Sequence, residues 1–175
     1  MKIKGKSFEV LIGEEELLKR VKLIADEINK DYKEMNPLFI GILNGAFMFV
    51  ADIMKRISLQ SEVSFVKLAS YTKMSSSGSV KELIGLNDNI FDRHVIVLED
   101  IIDSGNTIST VLEEFNSRGA ASVEVATLLL KPEALKVDLD VKYVGFEIGN
   151  EFVVGYGLDY DGLGRNSSAI YQLKE

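Results

Sequence analysis

VIVLEDIIDSGNTIST, residues 95–110, joins two chemically opposed halves. The apolar run Val95–Leu98 has no polar face, as in a strand buried on both sides. Glu99 and Asp100 follow it at once, with Asp103 three residues further on. Then Ser104, Gly105, Asn106 and Thr107 open a segment whose apolar spacing, from 106 to 117, predicts a helix closed by Arg118-Gly119. Small and polar residues at a helix start leave backbone amides free for an anion. Carboxylates repel the same anion. A strand, a turn and a helix that carry both need a ligand with two different ends.

Outward from this unit, strand and helix alternate. Residues 14–34 predict an amphipathic helix with acids in its first turn, where the helix dipole favours them. LFIGIL (38–43) predicts a short buried strand, and 46–57 a second helix. SFVKLAS (64–70), HVIVLED (94–100) and SVEVATLLL (122–130) predict further strands. Doubly apolar strands alternating with helices call for an α/β fold, a mainly parallel sheet flanked by helices. In such sheets ligands sit beyond the carboxyl ends of the strands. Those ends carry Asn44-Gly45, Ser70-Tyr71, Glu99-Asp100 and Lys131. Residues 1–175 read as a single domain, with a core over about 14–131 and a small cap over about 132–175 that also takes in N-terminal residues. The polar stretch from Tyr71 to about Lys81, with SSSGS at 75–79, reads as a long loop of the lid kind.

Composition narrows the function classes. Twenty Lys and Arg against 27 Asp and Glu give a formal net charge of −7, which disfavours nucleic acid and anionic membrane as partners. The absence of cysteine excludes a disulfide scaffold and a thiolate zinc site. With no signal-peptide pattern and no membrane-length apolar run, the expected location is cytoplasmic. The single histidine, His94, begins a strand and is expected to be structural or at the surface.

The loop is not a P-loop, since it lacks the lysine of G-x-x-x-x-G-K-[ST], and no G-x-G-x-x-G is present in it. It has room for one monoester phosphate. One bland alternative is that Asp103 or Ser104 simply caps the helix. A ligand carrying a phosphate and a vicinal diol resolves the conflict between the two halves. Amides take the phosphate, while ionised carboxylates accept hydrogen bonds from the hydroxyls. The same acids could hold a hard divalent cation such as Mg²⁺. A ribose 5-phosphate has this chemistry.

VIVLEDIIDSGNTI resembles the phosphoribosyl-pyrophosphate motif of type I phosphoribosyltransferases. GILNGAFMFVADI (41–53) and KYVGFEIGNEFVVGYGLDYDGLGR (142–165) narrow the resemblance to the hypoxanthine-guanine phosphoribosyltransferase family. It implies the type I phosphoribosyltransferase fold with a C-terminal hood, and transfer of 5-phosphoribose from phosphoribosyl pyrophosphate to N9 of a 6-oxopurine, with Mg²⁺ required. IMP or GMP and pyrophosphate would be the products, in purine salvage. By resemblance, Ser104, Gly105, Asn106, Thr107 and Ile108 would bind the 5-phosphate. Glu99 and Asp100 would face the ribose hydroxyls and, with Asp159, the metal. Asp103 would be the acid/base near purine N7, and Lys131 would donate to the 6-oxo group. Phe152 would stack on the base, Val153 and Asp159 would meet its edge through backbone groups, and Arg165 would meet pyrophosphate. Asn44 and Gly45 fall in the family's pyrophosphate loop, which often holds a cis non-proline peptide. Asn44 stands where many relatives carry lysine. Ser70 and Tyr71 would lead into the family's mobile loop. Homodimers or homotetramers are implied. A xanthine-preferring enzyme, and a phosphoribosyltransferase-like RNA-binding regulator, are the alternatives.

Overall fold

In the computed structural model, residues 1–72 and 79–174 are described, with the side chains of 68–84 left aside. Residues 73–78, the middle of the lid stretch expected from Tyr71 to about Lys81, lie outside the described residues.

The chain opens with a hairpin, β1 (Lys2–Ile3) and β2 (Lys6–Ile12), and continues into α1 (Glu14–Asp31). Then come β3 (Leu38–Leu43), α2 (Phe47–Met54), β4 (Glu62–Thr72) and β5 (Ser79–Ile84). The middle of the chain is β6 (His94–Ile102), α3 (Asn106–Ser117) and β7 (Ser122–Leu130). A 3-10 turn at Pro132–Ala134 leads to β8 (Tyr143–Glu147), β9 (Val153–Val154) and β10 (Ile170–Leu173).

The main sheet has the order β5-β4-β3-β6-β7-β8, parallel throughout except for β5. Its strands alternate between two faces. Phe39, Ile96, Leu98 and Leu128 pack with α1 and α2, whose Leu17, Val21, Ile24, Ile28, Phe49 and Ile53 are buried. Leu38, Ile40, Val95, Val97 and Val125 turn to the other side and pack with Val111 and Phe115 of α3. The doubly apolar strand sequences are thus explained by helices on both faces. Chain order reverses between β3 and β6, because β3 connects outward to β4 and β6 to β7 on the opposite side. That crevice is the topological switch point, where ligands bind in open α/β sheets.

α1 stops at Asp31, three residues short of the expected end. Glu34 takes a left-handed φ of 70°, and Asn36 precedes Pro37, a position biased away from helix. Both ends of the loop expected from Tyr71 to about Lys81 are strand. Tyr71 pairs with Val80 and Thr72 with Ser79, so its flanks are the arms of an antiparallel hairpin. The cap expected over about 132–175 is divided. Tyr143–Glu147 pairs in parallel with β7 and extends the main sheet, since Tyr143 is buried in the same core as α1. The rest belongs to a second sheet, β1-β2-β10-β9, in which β10 lies between N-terminal β2 and β9. Its own apolar centre is Ile3, Phe8 and Val154. Among the described residues no helix is long and apolar enough to cross a membrane.

Arg20 ties α1 to the edge of the main sheet. Its guanidinium donates to the carbonyls of Gly145 at 2.8 Å and Val144 at 2.5 Å. Charge-assisted bonds of this kind hold about 1.5–3 kcal/mol each. Arg20→Met should lower the urea midpoint by an amount equivalent to about 1–3 kcal/mol at unchanged slope, because it leaves two partly buried carbonyls unpaired. A midpoint equal to wild type would show that water replaces the guanidinium without loss.

Candidate active site

The switch-point crevice brings the ends of β3 and β6 together. Gly45, just beyond β3, lies so close to Asp100 that a side chain there would run into the Asp100 carboxylate. The Leu43–Asn44 peptide before it is cis, and Asn44 is exposed. Glu99 and Asp100, at 7 % and 8 % exposure, are two of the few buried ionisable residues among those described. Glu99 Oε2 has no hydrogen-bond partner among the described residues. Burial, reinforced by the neighbouring Asp100, holds the Glu99 carboxyl well above its ordinary range. Burial also pushes Asp100 up, to about 6, against the pull of the Ile101 amide and the Arg165 charge. Two adjacent buried acids of this kind are costly for folding alone, and such groups cluster at functional sites.

α3 begins at Asn106 without a side-chain cap. Its N-cap is Gly105, at φ 79°, so neither Asp103 nor Ser104 caps it. Gly105 is required twice over, since a Cβ would also strike Val137 at 2.7 Å. The first-turn amides therefore have no intrahelical acceptor and no capping side chain. They border a cavity of about 90 Å³ lined by Glu99, Ile101, Ile102, Asp103, Ser104, Gly105, Thr107 and Ile108. This volume suits a tetrahedral anion.

A second cavity, of about 240 Å³, opens beside it and shares Ile101 and Asp103. Gly45 and Asp100 form one end, and Lys131, Phe152, Val153, Leu158, Asp159 and Arg165 complete it. Lys131 is buried at the end of β7, and its Nζ lies 3.6 Å from Asp103 Oδ2. The Asp103 side chain is exposed by comparison, at 62 %. The Phe152 ring is 45 % exposed, with the Phe8 ring tilted against it and the Tyr160 ring packed edge to face. The structure thus brings Gly45, Asp100, Asp103, Lys131, Phe152, Val153, Asp159 and Arg165 around one space. The backbones of Ser70 and Tyr71 lie in β4, and their side chains are outside the described residues. His94 begins β6, partly buried, with its Nδ1 2.8 Å from Ser122 Oγ at the opposite end of the strand from Glu99 and Asp100.

Asp159 differs from the expected metal-facing carboxylate. One oxygen pairs with the Arg165 guanidinium and the other accepts the Gly162 amide at 2.6 Å. Among the described residues no group of three or more His, Cys, Asp or Glu side chains is arranged to hold a metal. The acids do fit a shared ion. Mg²⁺ is commonly held by one or two carboxylates together with substrate phosphates, and every donor at this end of the crevice is a hard oxygen. Besides Ile101 and Ile102 of the cavity walls, two contributors from the hood escaped the sequence reading. Leu158 forms part of the cavity wall, and Gly157 packs directly against the Gly45 carbonyl. The paired glycines of GYG were the available signal for such a close backbone approach.

A phosphate-sized pocket at a helix start, beside buried carboxylates at the switch point, defines the phosphoribosyltransferase class. A family model described as phosphoribosyl transferase domain matches residues 12–161. The chain is 44 % identical over 167 residues to the hypoxanthine-guanine phosphoribosyltransferase of Bacillus subtilis (strain 168), covering 95 % of this chain and 93 % of that protein. It is 43 % identical over 168 residues to the enzyme of the same name from Streptococcus mutans, with the same coverage. The crystal structure of a hypoxanthine phosphoribosyltransferase from Staphylococcus aureus superposes with a TM-score of 0.88 at 39 % identity, over 95 % of this chain and 91 % of that one. The chain belongs to the hypoxanthine-guanine phosphoribosyltransferase family.

The acid pair makes stability depend on pH with a definite sign. The Asp100 pKa rises from 3.8 to about 6 on folding. Its contribution to stability is therefore complete below about pH 4 and lost as pH rises through 6. Asp100→Asn removes that loss and also relieves Glu99. It should stabilise the protein by about 1–3 kcal/mol at pH 8, raising Tm by several degrees, and by much less at pH 4. Thermal melts at the two pH values measure the difference, and an equal shift at both would contradict the assignment.

Proposed function

We propose that this protein transfers 5-phosphoribose from phosphoribosyl pyrophosphate to N9 of hypoxanthine or guanine, forming IMP or GMP and pyrophosphate. The observation that carries the reading is the pair of adjoining cavities. One is lined by free helix amides, the other by an aromatic face and a buried lysine, and buried carboxylates stand beside both. A phosphate, a sugar and a flat base fit this order.

In this reading the amides of residues 104–108 and the Ser104 and Thr107 hydroxyls hold the 5-phosphate. Glu99 and Asp100 accept hydrogen bonds from the ribose hydroxyls, which favour their ionised forms and bring negative charge near C1′. As the C1′–oxygen bond to pyrophosphate breaks, its electron pair leaves with pyrophosphate and the sugar gains oxocarbenium character. Purine N9 supplies the new bond. Asp103 takes the proton that the base loses at N7. Phe152 stacks on the base, with Val153 and the Asp159 backbone along its edge. Arg165, Asn44 and Gly45 meet pyrophosphate. Magnesium would be held by Glu99 and Asp100 with the substrate's oxygens, and would neutralise the leaving group. A cytoplasmic location and assembly as a homodimer or homotetramer belong to the same proposal.

Lys131 gives the test of substrate class. An ammonium group donates and cannot accept, so it pairs with a 6-oxo oxygen and not with a 6-amino group. A site built around a buried hydrogen bond can discriminate by about 10⁴–10⁵. Wild-type protein should release pyrophosphate with hypoxanthine and reject adenine on that scale in kcat/KM. Lys131→Gln should narrow the gap, because an amide can present oxygen or NH₂. Equal use of adenine by the wild type would overturn the substrate assignment.

Asp103 is tested at the chemical step. Proton transfer by a positioned carboxylate contributes about 10²–10⁴-fold. Asp103→Asn should slow single turnover within that range with little change in phosphoribosyl pyrophosphate binding. A wild-type single-turnover rate would leave Asp103 without a catalytic role.

A further inference from the structure

The two halves of the crevice are built by segments more than a hundred residues apart, and a partly buried hydrogen bond joins them. Tyr156 lies in the hood turn between Gly155 and Gly157, is 2 % exposed, and takes a left-handed φ of 50°. A tyrosine in that region costs energy unless its surroundings impose it. Its hydroxyl donates to Asp52 Oδ2 at 2.6 Å. Asp52 is on α2, the helix that follows the Asn44-Gly45 loop. Its other oxygen is 3.0 Å from Lys55 Nζ and 3.9 Å from Arg56 Nη1. Burial works to raise Asp52, but the Tyr156 bond and these two cations outweigh it and keep the carboxyl below its ordinary range. The acceptor is therefore a carboxylate, and the bond is charge-assisted.

Next to Tyr156, Gly157 sits so close to the Gly45 carbonyl that a side chain at 157 would overlap it. The Gly157 amide donates to the Arg165 carbonyl at 2.9 Å, and the Arg165 guanidinium donates back to the Gly157 carbonyl at 2.7 Å. A continuous line of contacts thus runs from Asp52 through Tyr156 to Gly157, and from there to Gly45 on one side and Arg165 on the other. We propose that Asp52 and Tyr156 are a positioning pair that clamps the hood turn onto the Gly45 loop and so fixes the pyrophosphate half of the site. Neither side chain lines the cavities, and both act through Gly157. The inference rests on the phosphoribosyltransferase reading of Gly45 and Arg165.

The clamp predicts a selective defect. Tyr156→Phe keeps the ring in its core and removes only the hydroxyl, while Asp52→Leu removes the acceptor. Each should raise KM for phosphoribosyl pyrophosphate, and Kd for magnesium pyrophosphate by calorimetry, by about 5- to 20-fold, as expected for loss of a charge-assisted bond that aligns a binding loop. KM for hypoxanthine should stay within about twofold, since Phe152 and Lys131 do not depend on this bond. Asp52→Asn keeps a carbonyl oxygen for the tyrosine and should restore values within about twofold of wild type. The double variant Tyr156→Phe/Asp52→Leu should be no worse than either single one, as for two ends of one interaction. Unchanged pyrophosphate affinity in Tyr156→Phe would overturn the clamp. So would a uniform change in both KM values, or an Asp52→Asn variant as impaired as Asp52→Leu. If wild-type protein releases no pyrophosphate with any purine base, the functional reading itself fails. The calorimetric comparison still decides the clamp in that case.

Discussion

Burying two neighbouring carboxylates at the end of the central strand is the constraint around which the molecule is arranged. Glu99 and Asp100 could be solvated only if β6 ended at a surface, yet β3 and β7 flank it and helices cover both faces. The adjoining elements show how the acids are accommodated. Gly45 has no side chain where Asp100 needs room, and the Ile101 amide bonds Asp100 at 3.0 Å. Glu99 keeps an unpartnered oxygen among the described residues. Folding is opposed by this arrangement, and in the proposed function a sugar with hydroxyl donors relieves it. Ligand affinity and fold stability are therefore set in opposition at the same two residues.

The central fold was legible because its signals are local. Residues 38–43, 106–117 and 122–130 form the expected elements with the expected bounds, and alternating apolar residues in each strand meet helices on both faces. Edge elements were harder. Tyr143–Glu147 carries two aromatic residues and a glycine, which suit a cap hairpin as well as a sheet edge, and only its long-range pairing with β7 decides between them. SFVKLAS was legible as a strand, but its continuation to Thr72 and the second arm, Ser79–Ile84, were obscured because they adjoin a polar stretch that matches a loop.

The candidate site divides in the same way. Carboxylates and a lysine at strand ends could be placed from the order of strands, since parallel sheets gather those ends on one rim. Phe152, Asp159 and Arg165 gave no such signal of their own, and it was the resemblance that singled them out. The pairing of Asp159 with Arg165 and Gly162 depends on a turn whose geometry rests on glycines at 157, 162 and 164, all with positive φ. Sequence spacing cannot fix such a turn, because glycine permits many paths.

The second sheet has a consequence for biosynthesis. β2 near the amino end pairs with β10 near the carboxyl end, with Phe8 opposite Leu173 and Ile12 opposite Ile170. Phe8 also backs the ring of Phe152. Ribosomes synthesise a chain from its amino end, so β2 emerges early with only β1 beside it, and its other edge waits for residues 170–173. The parallel core, whose strands lie between residues 38 and 147, can assemble in the meantime. Contacts of such long sequence separation form late. The carboxylate crevice can therefore be in place while the aromatic floor of the hood is still open, with one edge of β2 exposed to wrong pairing until residues 170–173 reach it.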